Sequence, residues 1–164
     1  MRASAIAQPE SGPATKSDSR TGKYLAFHLG RDEFAIQVLK VREIMGIQDI
    51  TAVPQTPVFV KGVINLRGKV IPVVDLRLKF GLPEVEYNQR TCIIVVHIQG
   101  PDGAASLTGI VVDEVSEAVN LAAGEIEDTR DLWDGIPMPY VLGIAKCKGK
   151  VKTLLDIDRV LQAQ

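Results

Sequence analysis

Two stretches of this chain occur twice, and the repeat limits the architectures open to it more than any single segment does. Phe34 to Glu43 aligns with Thr108 to Glu117 through an Ile-x-Val-x-x-Val-x-Glu skeleton. Val60 to Val70 aligns with Val141 to Val151, with Gly62 matching Gly143, Gly68-Lys69-Val70 matching Gly149-Lys150-Val151, and Asp75 matching Asp156 further on. Each repeated unit is too short to bury an apolar face alone, so the repeat predicts two similar small β-barrels packed side by side. That arrangement closes most strand edges and leaves a groove between the halves. A chance agreement of short β patterns is the alternative reading.

The local signals agree with a mostly β chain. Leu25, Phe27 and Leu29 alternate with Tyr24, Ala26 and His28, then Gly30-Arg31-Asp32-Glu33 breaks the run, and Phe34, Ile36 and Val38 carry a return strand. Val38, Val41, Ile44 and Met45 then fall at helical spacing, predicting a short helix that ends at Gly46. Pro54 and Pro57 impose an irregular link, and Pro54-Gln55-Thr56-Pro57 reads as a rigid linker wedged between core elements. Val58 to Leu66 and Val70 to Asp75 form the next strands, joined across Arg67-Gly68, where glycine supplies the backbone freedom of a tight hairpin.

Asp75 followed by Leu76, Leu78, Phe80 and Gly81 reads as an N-capped helical turn, although the alternation suits a strand as well. Cys92 to Val96 is apolar on both faces, as a strand covered on each side requires. Ser106 to Asp113, Tyr140 to Cys147 and Lys150 to Leu155 complete the strands, in a predominantly antiparallel arrangement. Ile157 to Leu161 is predicted as a brief helix capped by Asp156. Trp133 lies in the polar, proline-bounded stretch from Thr129 to Pro139 and reads as a loop anchor.

The chain has 164 residues, 46% of them hydrophobic, which is enough for a sizeable core. Its net charge of −1 offers no basic field for phosphate backbones or anionic lipid, so nucleic acid is not an expected partner. Met1 to Gly22 is rich in small and polar residues and reads as a flexible tail. It carries no apolar run of signal-peptide or membrane-span length, and no direct membrane insertion is expected. A cytoplasmic chain is the corresponding expectation.

Chemistry-bearing patterns are sparse. Gly62 to Gly68-Lys69 imitates a phosphate-binding loop, but five residues separate the glycines instead of four, and Val70 stands where a magnesium-binding hydroxyl is needed. His28 and His97 are far apart, while Cys92 and His97 face opposite sides of one strand, so no metal set forms. Cys92 and Cys147 read as small hydrophobes of a reducing compartment. No nucleophile elbow is present. Asp113, Glu114, Glu117, Glu125, Glu127 and Asp128 read as a solvated face.

Val41-Arg42-Glu43-Ile44, the run from Phe59 to Gly68, Val70-Ile71-Pro72-Val73-Val74-Asp75-Leu76-Arg77 and Gly109 to Asp113 resemble the CheW family of chemotaxis coupling proteins. The resemblance spans roughly residues 23–161, and the stretch from Gly62 through Arg77 is its most specific part. It implies two five-stranded SH3-like barrels with short helices, approximately 23–88 and 89–161, with some strand exchange near the ends. It also implies an adaptor without turnover or cofactor. Such proteins bind the regulatory domain of the histidine kinase CheA and the cytoplasmic tip of chemoreceptors, in arrays that can hold further copies of the adaptor at the membrane.

Carried over by motif, the coupling residues are Val38, Val41, Glu43, Gly62, Asn65 and Arg67, with Arg67 matching the family's inter-barrel arginine. Glu43 is the expected partner of Arg67. Whether the pair ties barrel to barrel or meets a binding partner stays open on the sequence. A small β-barrel enzyme or ligand-binding module is the rival class, and a CheV-like chain separated from its receiver is a third reading.

Overall fold

A computed structural model describes residues 20–129 and 138–162. The N-terminal tail up to residue 19 and the stretch holding Trp133 lie outside the described residues. The chain runs β1 (Gly22–Leu29), β2 (Asp32–Gln37), a 3-10 turn (Val38–Lys40), β3 (Val41–Gly46), β4 (Val60–Leu66), β5 (Lys69–Asp75) and α1 (Leu76–Lys79). Then follow β6 (Cys92–Gln99), β7 (Ala105–Val112), β8 (Glu114–Leu121), β9 (Ile126–Glu127), β10 (Val141–Cys147), β11 (Lys150–Leu155) and α2 (Ile157–Gln162).

These strands form two sheets, ordered β8-β1-β2-β11-β10-β9 and β3-β6-β7-β5-β4. Read in parallel the two orders are one pattern: β8, β1, β2, β11 and β10 stand where β3, β6, β7, β5 and β4 stand in the other sheet. Most neighbours are antiparallel, but β11 runs parallel to β2, and β5 parallel to β7. These parallel pairs depart from the antiparallel expectation. Neither sheet is one half of the chain. One takes β3 to β7, while the other takes the N-terminal β1 and β2 together with β8 to β11. A cut between residues 88 and 89 therefore divides both sheets, and exchange extends well beyond the chain ends.

Burial follows the pleat. In β6, Ile93 and Val95 point into a cluster with Ile64, Ile71, Val73 and Val111, all inside one sheet. Ile94, Val96 and Ile98 point the other way, into a central cluster with Leu25, Phe27, Leu29 and Ile36 of the opposite sheet. The period of two thus serves two cores, which is why Cys92 to Val96 is apolar on both faces. Tyr24, Ala26, Ala35, Val119, Leu121 and Leu154 belong to the third cluster, inside the other sheet. Each aliphatic side chain of this kind contributes about 1.5–3 kcal/mol on burial.

Three segments differ from expectation. The helix predicted up to Gly46 is only the 3-10 turn at Val38–Lys40, and Val41–Gly46 is strand β3, whose burial alternates residue by residue. Pairing with β6 decides this, because β-branched Val41 and Ile44 suit a ladder and the helical spacing extended over too few residues to compete. β8, in the stretch read as a solvated acidic face, is a strand in which Val119 and Leu121 are buried. Its outward glutamates disguise an edge strand, a common way of keeping such edges soluble. Pro54 to Pro57 is an exposed loop held by a bond from Thr56 Oγ1 to the Val53 carbonyl (3.0 Å), not a segment wedged in the core.

The predicted caps are present. The Asp75 carboxylate accepts from the Arg77 backbone N–H at 2.9 Å at the start of α1, and from the Tyr87 hydroxyl at 2.8 Å. Burial, and then the hydrogen bond to Asp75, push the Tyr87 phenol above its ordinary value, so it stays a donor. Asp156 accepts from the Arg159 N–H at 3.4 Å at the start of α2. Each helix also clamps a crossover between sheets. Arg77 of α1 holds Asp113 at 2.6 Å, and Asp158 of α2 holds Lys40 at 2.7 Å. Asp113 further accepts from the Gly30 N–H at 2.7 Å, and Asp158 from the Gln99 N–H at 3.0 Å.

Candidate partner-binding site

The β4–β5 hairpin turns at Arg67 and Gly68, both left-handed, with φ of 50° and 89°. That pair of conformations is the two-residue hairpin turn whose twist matches the strands it joins. Asn65 Oδ1 accepts from the Gly68 N–H at 2.8 Å and stiffens the turn. Gly62 sits at the other end of β4, where the register shifts between Val60 and Gly62 and where Thr51 and Val63 form an isolated bridge. A Cβ on Gly62 would lie 1.9 Å from the Thr51 carbonyl oxygen, and its φ is +142°. Only glycine fits there.

Arg67 reaches the Glu43 carboxylate, making the ion pair expected from the sequence. Its position corrects the inter-barrel assignment. Glu43 lies on β3 and Arg67 at the end of β4, the two edge strands of one five-stranded sheet. The pair therefore draws the two edges of a single sheet together. The side chain of Arg67 remains 67% exposed and that of Glu43 26%, so a guanidinium is presented at the surface from a rigid tip.

Glu43, Asn65 and Arg67 are thus gathered at one end of the sheet. Val38 and Val41 are half-buried against the central cluster, and Gly62 stands at the β4 bulge. The second unit repeats the device in a pair, Glu117 and Lys148, that the sequence reading did not bring together. Glu117 of β8 meets Lys148, at the tip of the β10–β11 hairpin, at 3.5 Å. Lys148 and Gly149 have φ of 54° and 78°, reproducing the first turn. The repeat contained this signal, since it aligns Glu117 with Glu43 and Gly149 with Gly68. Val70 and Val151, another repeated pair, are 65% and 57% exposed and provide apolar contact area beside the two tips.

The acidic stretch is mostly engaged: Asp113 with Arg77, Glu117 with Lys148, and Glu127 with Lys146 at 3.7 Å. Glu33 of β2 takes the ammonium of Lys152 at 3.2 Å and the hydroxyl of Ser116 at 3.3 Å, and Lys152 is 2% exposed. Burial alone would raise the Glu33 carboxyl. The hydrogen bond and charge of Lys152 outweigh burial, helped by His28 and Ser116, and hold it below the ordinary carboxylate range.

Two pseudo-symmetric β units, clamped together by their own helices and presenting charged hairpin tips, define a double-unit β module of the kind that offers surfaces to other proteins. A family model described as the CheW-like domain matches residues 23–164. The chain is 35% identical to a chemotaxis protein CheW of Klebsiella aerogenes over 142 residues, 87% of this chain and 82% of that protein. It is 31% identical to the Bacillus subtilis chemotaxis protein CheW, over 90% of this chain and 92% of that one. The crystal structure of the scaffolding protein TtCheW from Thermoanaerobacter tengcongensis superposes with a TM-score of 0.75 at 29% identity, covering 88% and 94% of the two chains. The chain belongs to the CheW family of chemotaxis scaffold proteins. Among the described residues no helix is long and apolar enough to cross a membrane.

Proposed function

We propose that this chain is the adaptor that couples chemoreceptors to the histidine kinase CheA, without turnover or cofactor of its own. In this reading it binds the regulatory domain of the kinase and the cytoplasmic tip of the receptors. It works in the cytoplasm, recruited to receptor arrays at the membrane, where further copies of the chain add contacts and individually weak interfaces gain from multivalency. The observation that carries the proposal is the family match, which runs across both β units. The exposed Arg67 tip adds support: Glu43 restrains the guanidinium without covering it, leaving donors free for a carboxylate of a partner helix. Val38, Val41, Glu43, Gly62, Asn65 and Arg67 are the coupling residues proposed, three as surface at the tip and three as the frame beneath it.

The test is a titration of the purified chain against the regulatory domain of a CheA kinase and, separately, a chemoreceptor signalling tip from the same organism. Saturable binding to both, with kinase activation only when all three are mixed, is the expected result. Binding to neither would overturn the proposal.

A further inference from the structure

The two β units differ at one pair of equivalent places. Ser116 is the extra residue of a β-bulge, since Ala26 pairs with Glu117 and Phe27 with Val115. Arg42 is the extra residue of the matching bulge, with Val41 opposite Val96 and Glu43 opposite Val95. Bulges re-aim side chains, so both residues are delivered to the same end of their respective units. There Ser116 finds Glu33, which also holds the buried Lys152 and lies 3.6 Å from His28. One unit therefore supplies its own anion to the basic groups gathered at that end.

In the other unit both members of that buried pair are replaced, Lys152 by Ile71 and Glu33 by Leu107, so among the described residues no carboxylate of the chain's own reaches the remaining basic groups. His97 stands where His28 does, Lys69 where Lys150 does, and Leu107 where Glu33 does, following the shared strand order. Arg42, Lys69, His97, Ser106 and Leu107 line a depression of about 180 Å³ together with Ala105. None of its walls is a carboxylate. Arg42, Lys69 and His97 are exposed, and none makes an ion pair among the described residues. The nearby Glu43 is already engaged by Arg67.

We propose that Arg42, Lys69, His97 and Ser106 form a binding site for a phosphate dianion, free or carried as a phosphomonoester. A guanidinium offers a planar fork, the ammonium a second full charge, and the imidazole and hydroxyl two further donors. That set matches a doubly charged tetrahedral oxyanion better than a single carboxylate. The site does not depend on the coupling role.

The test follows the imidazole resonances of the full chain by NMR at constant pH and ionic strength. Inorganic phosphate and O-phosphoserine are the two probes, with acetate as control. A saturable shift at His97 with His28 unmoved is expected. Arg42→Ser, which installs the residue of the other unit, and Lys69→Ala should each weaken binding about tenfold while leaving the melting temperature unchanged. Tighter binding of O-phosphoserine identifies a phosphorylated partner as the source, and tighter binding of inorganic phosphate identifies the free ion. Equal shifts at both histidines, a response that does not saturate, acetate acting as well as phosphate, or unaltered affinity in Arg42→Ser would each overturn the proposal.

Discussion

Lys148 meets Glu117 in one β unit as Arg67 meets Glu43 in the other, each pair joining the tip of a hairpin to the edge strand on the far side of its own sheet. The chain thus closes both sheets by the same ionic device, and only the first tip carries a guanidinium.

Because Arg67 is largely exposed, its ion pair contributes little to folding. Arg67→Ala is expected to lower stability by no more than about 1 kcal/mol, whereas Arg67→Glu, which sets like charges against Glu43, is expected to abolish receptor control of the kinase. Denaturant melts beside a reconstituted kinase assay separate the two effects. A large loss of stability in Arg67→Ala would make the residue purely structural.

Gly62 and Gly68 separate steric conflict from backbone strain. Gly68 has φ +89° with nothing within 4 Å of the point a Cβ would occupy, so Gly68→Ala carries only the conformational penalty, about 1 kcal/mol. Gly62→Ala adds a collision with the Thr51 carbonyl and is expected to cost more than about 3 kcal/mol. Urea midpoints of the two variants should differ accordingly.

Glu33 should shape the acid limb of stability. Its carboxyl is held below its unfolded value, so its contribution is complete above that value, near pH 4.3, and is lost as pH falls through the lower folded value. Glu33→Gln is expected to destabilise the chain near neutrality by roughly 1–3 kcal/mol, since it leaves the buried ammonium of Lys152 with a single carboxylate, Glu117 at 3.8 Å. It should also flatten the decline in stability below about pH 4. Urea midpoints across the acid range give the comparison.

Phe34 is half-buried at the edge of the central cluster, its ring 6.1 Å from Phe27 and 5.8 Å from Phe80. Phe34→Asp removes both ring contacts and brings a carboxylate against the cluster, so a loss of about 3–5 kcal/mol is expected. An unaltered melting curve would show that the contacts of Phe34 with Phe27 and Phe80 contribute nothing to stability.

Features with a local chemical cause were legible in the sequence. Gly68 announced its hairpin, Asp75 and Asp156 their helix caps, and the repeated Gly-Lys-Val the kinship of the two units. What stayed hidden depends on partners distant in sequence. β3 resembled a helix because Val38, Val41 and Ile44 stand three residues apart, a helical spacing that puts Val41 and Ile44 on opposite faces of the strand once β6 pairs with it. β8 was obscured by the charges of Glu114 and Glu117. The union of Glu43 with Arg67 followed from charge and motif, but its place within one sheet required the strand order, which no local pattern encodes.

The parallel pairing of β2 with β11 has a consequence for synthesis. The β1–β2 hairpin leaves the ribosome well before β11, the strand its ladder still needs, because β2 lies between β1 and β11. Until residue 155 emerges, the nascent chain carries β2 as a bare edge with Phe34 and Ile36 upon it, a template for pairing with a neighbouring polypeptide. A stop codon placed just before the β10–β11 hairpin would therefore do its damage at β2, and aggregation, more than lost binding, would be its first sign.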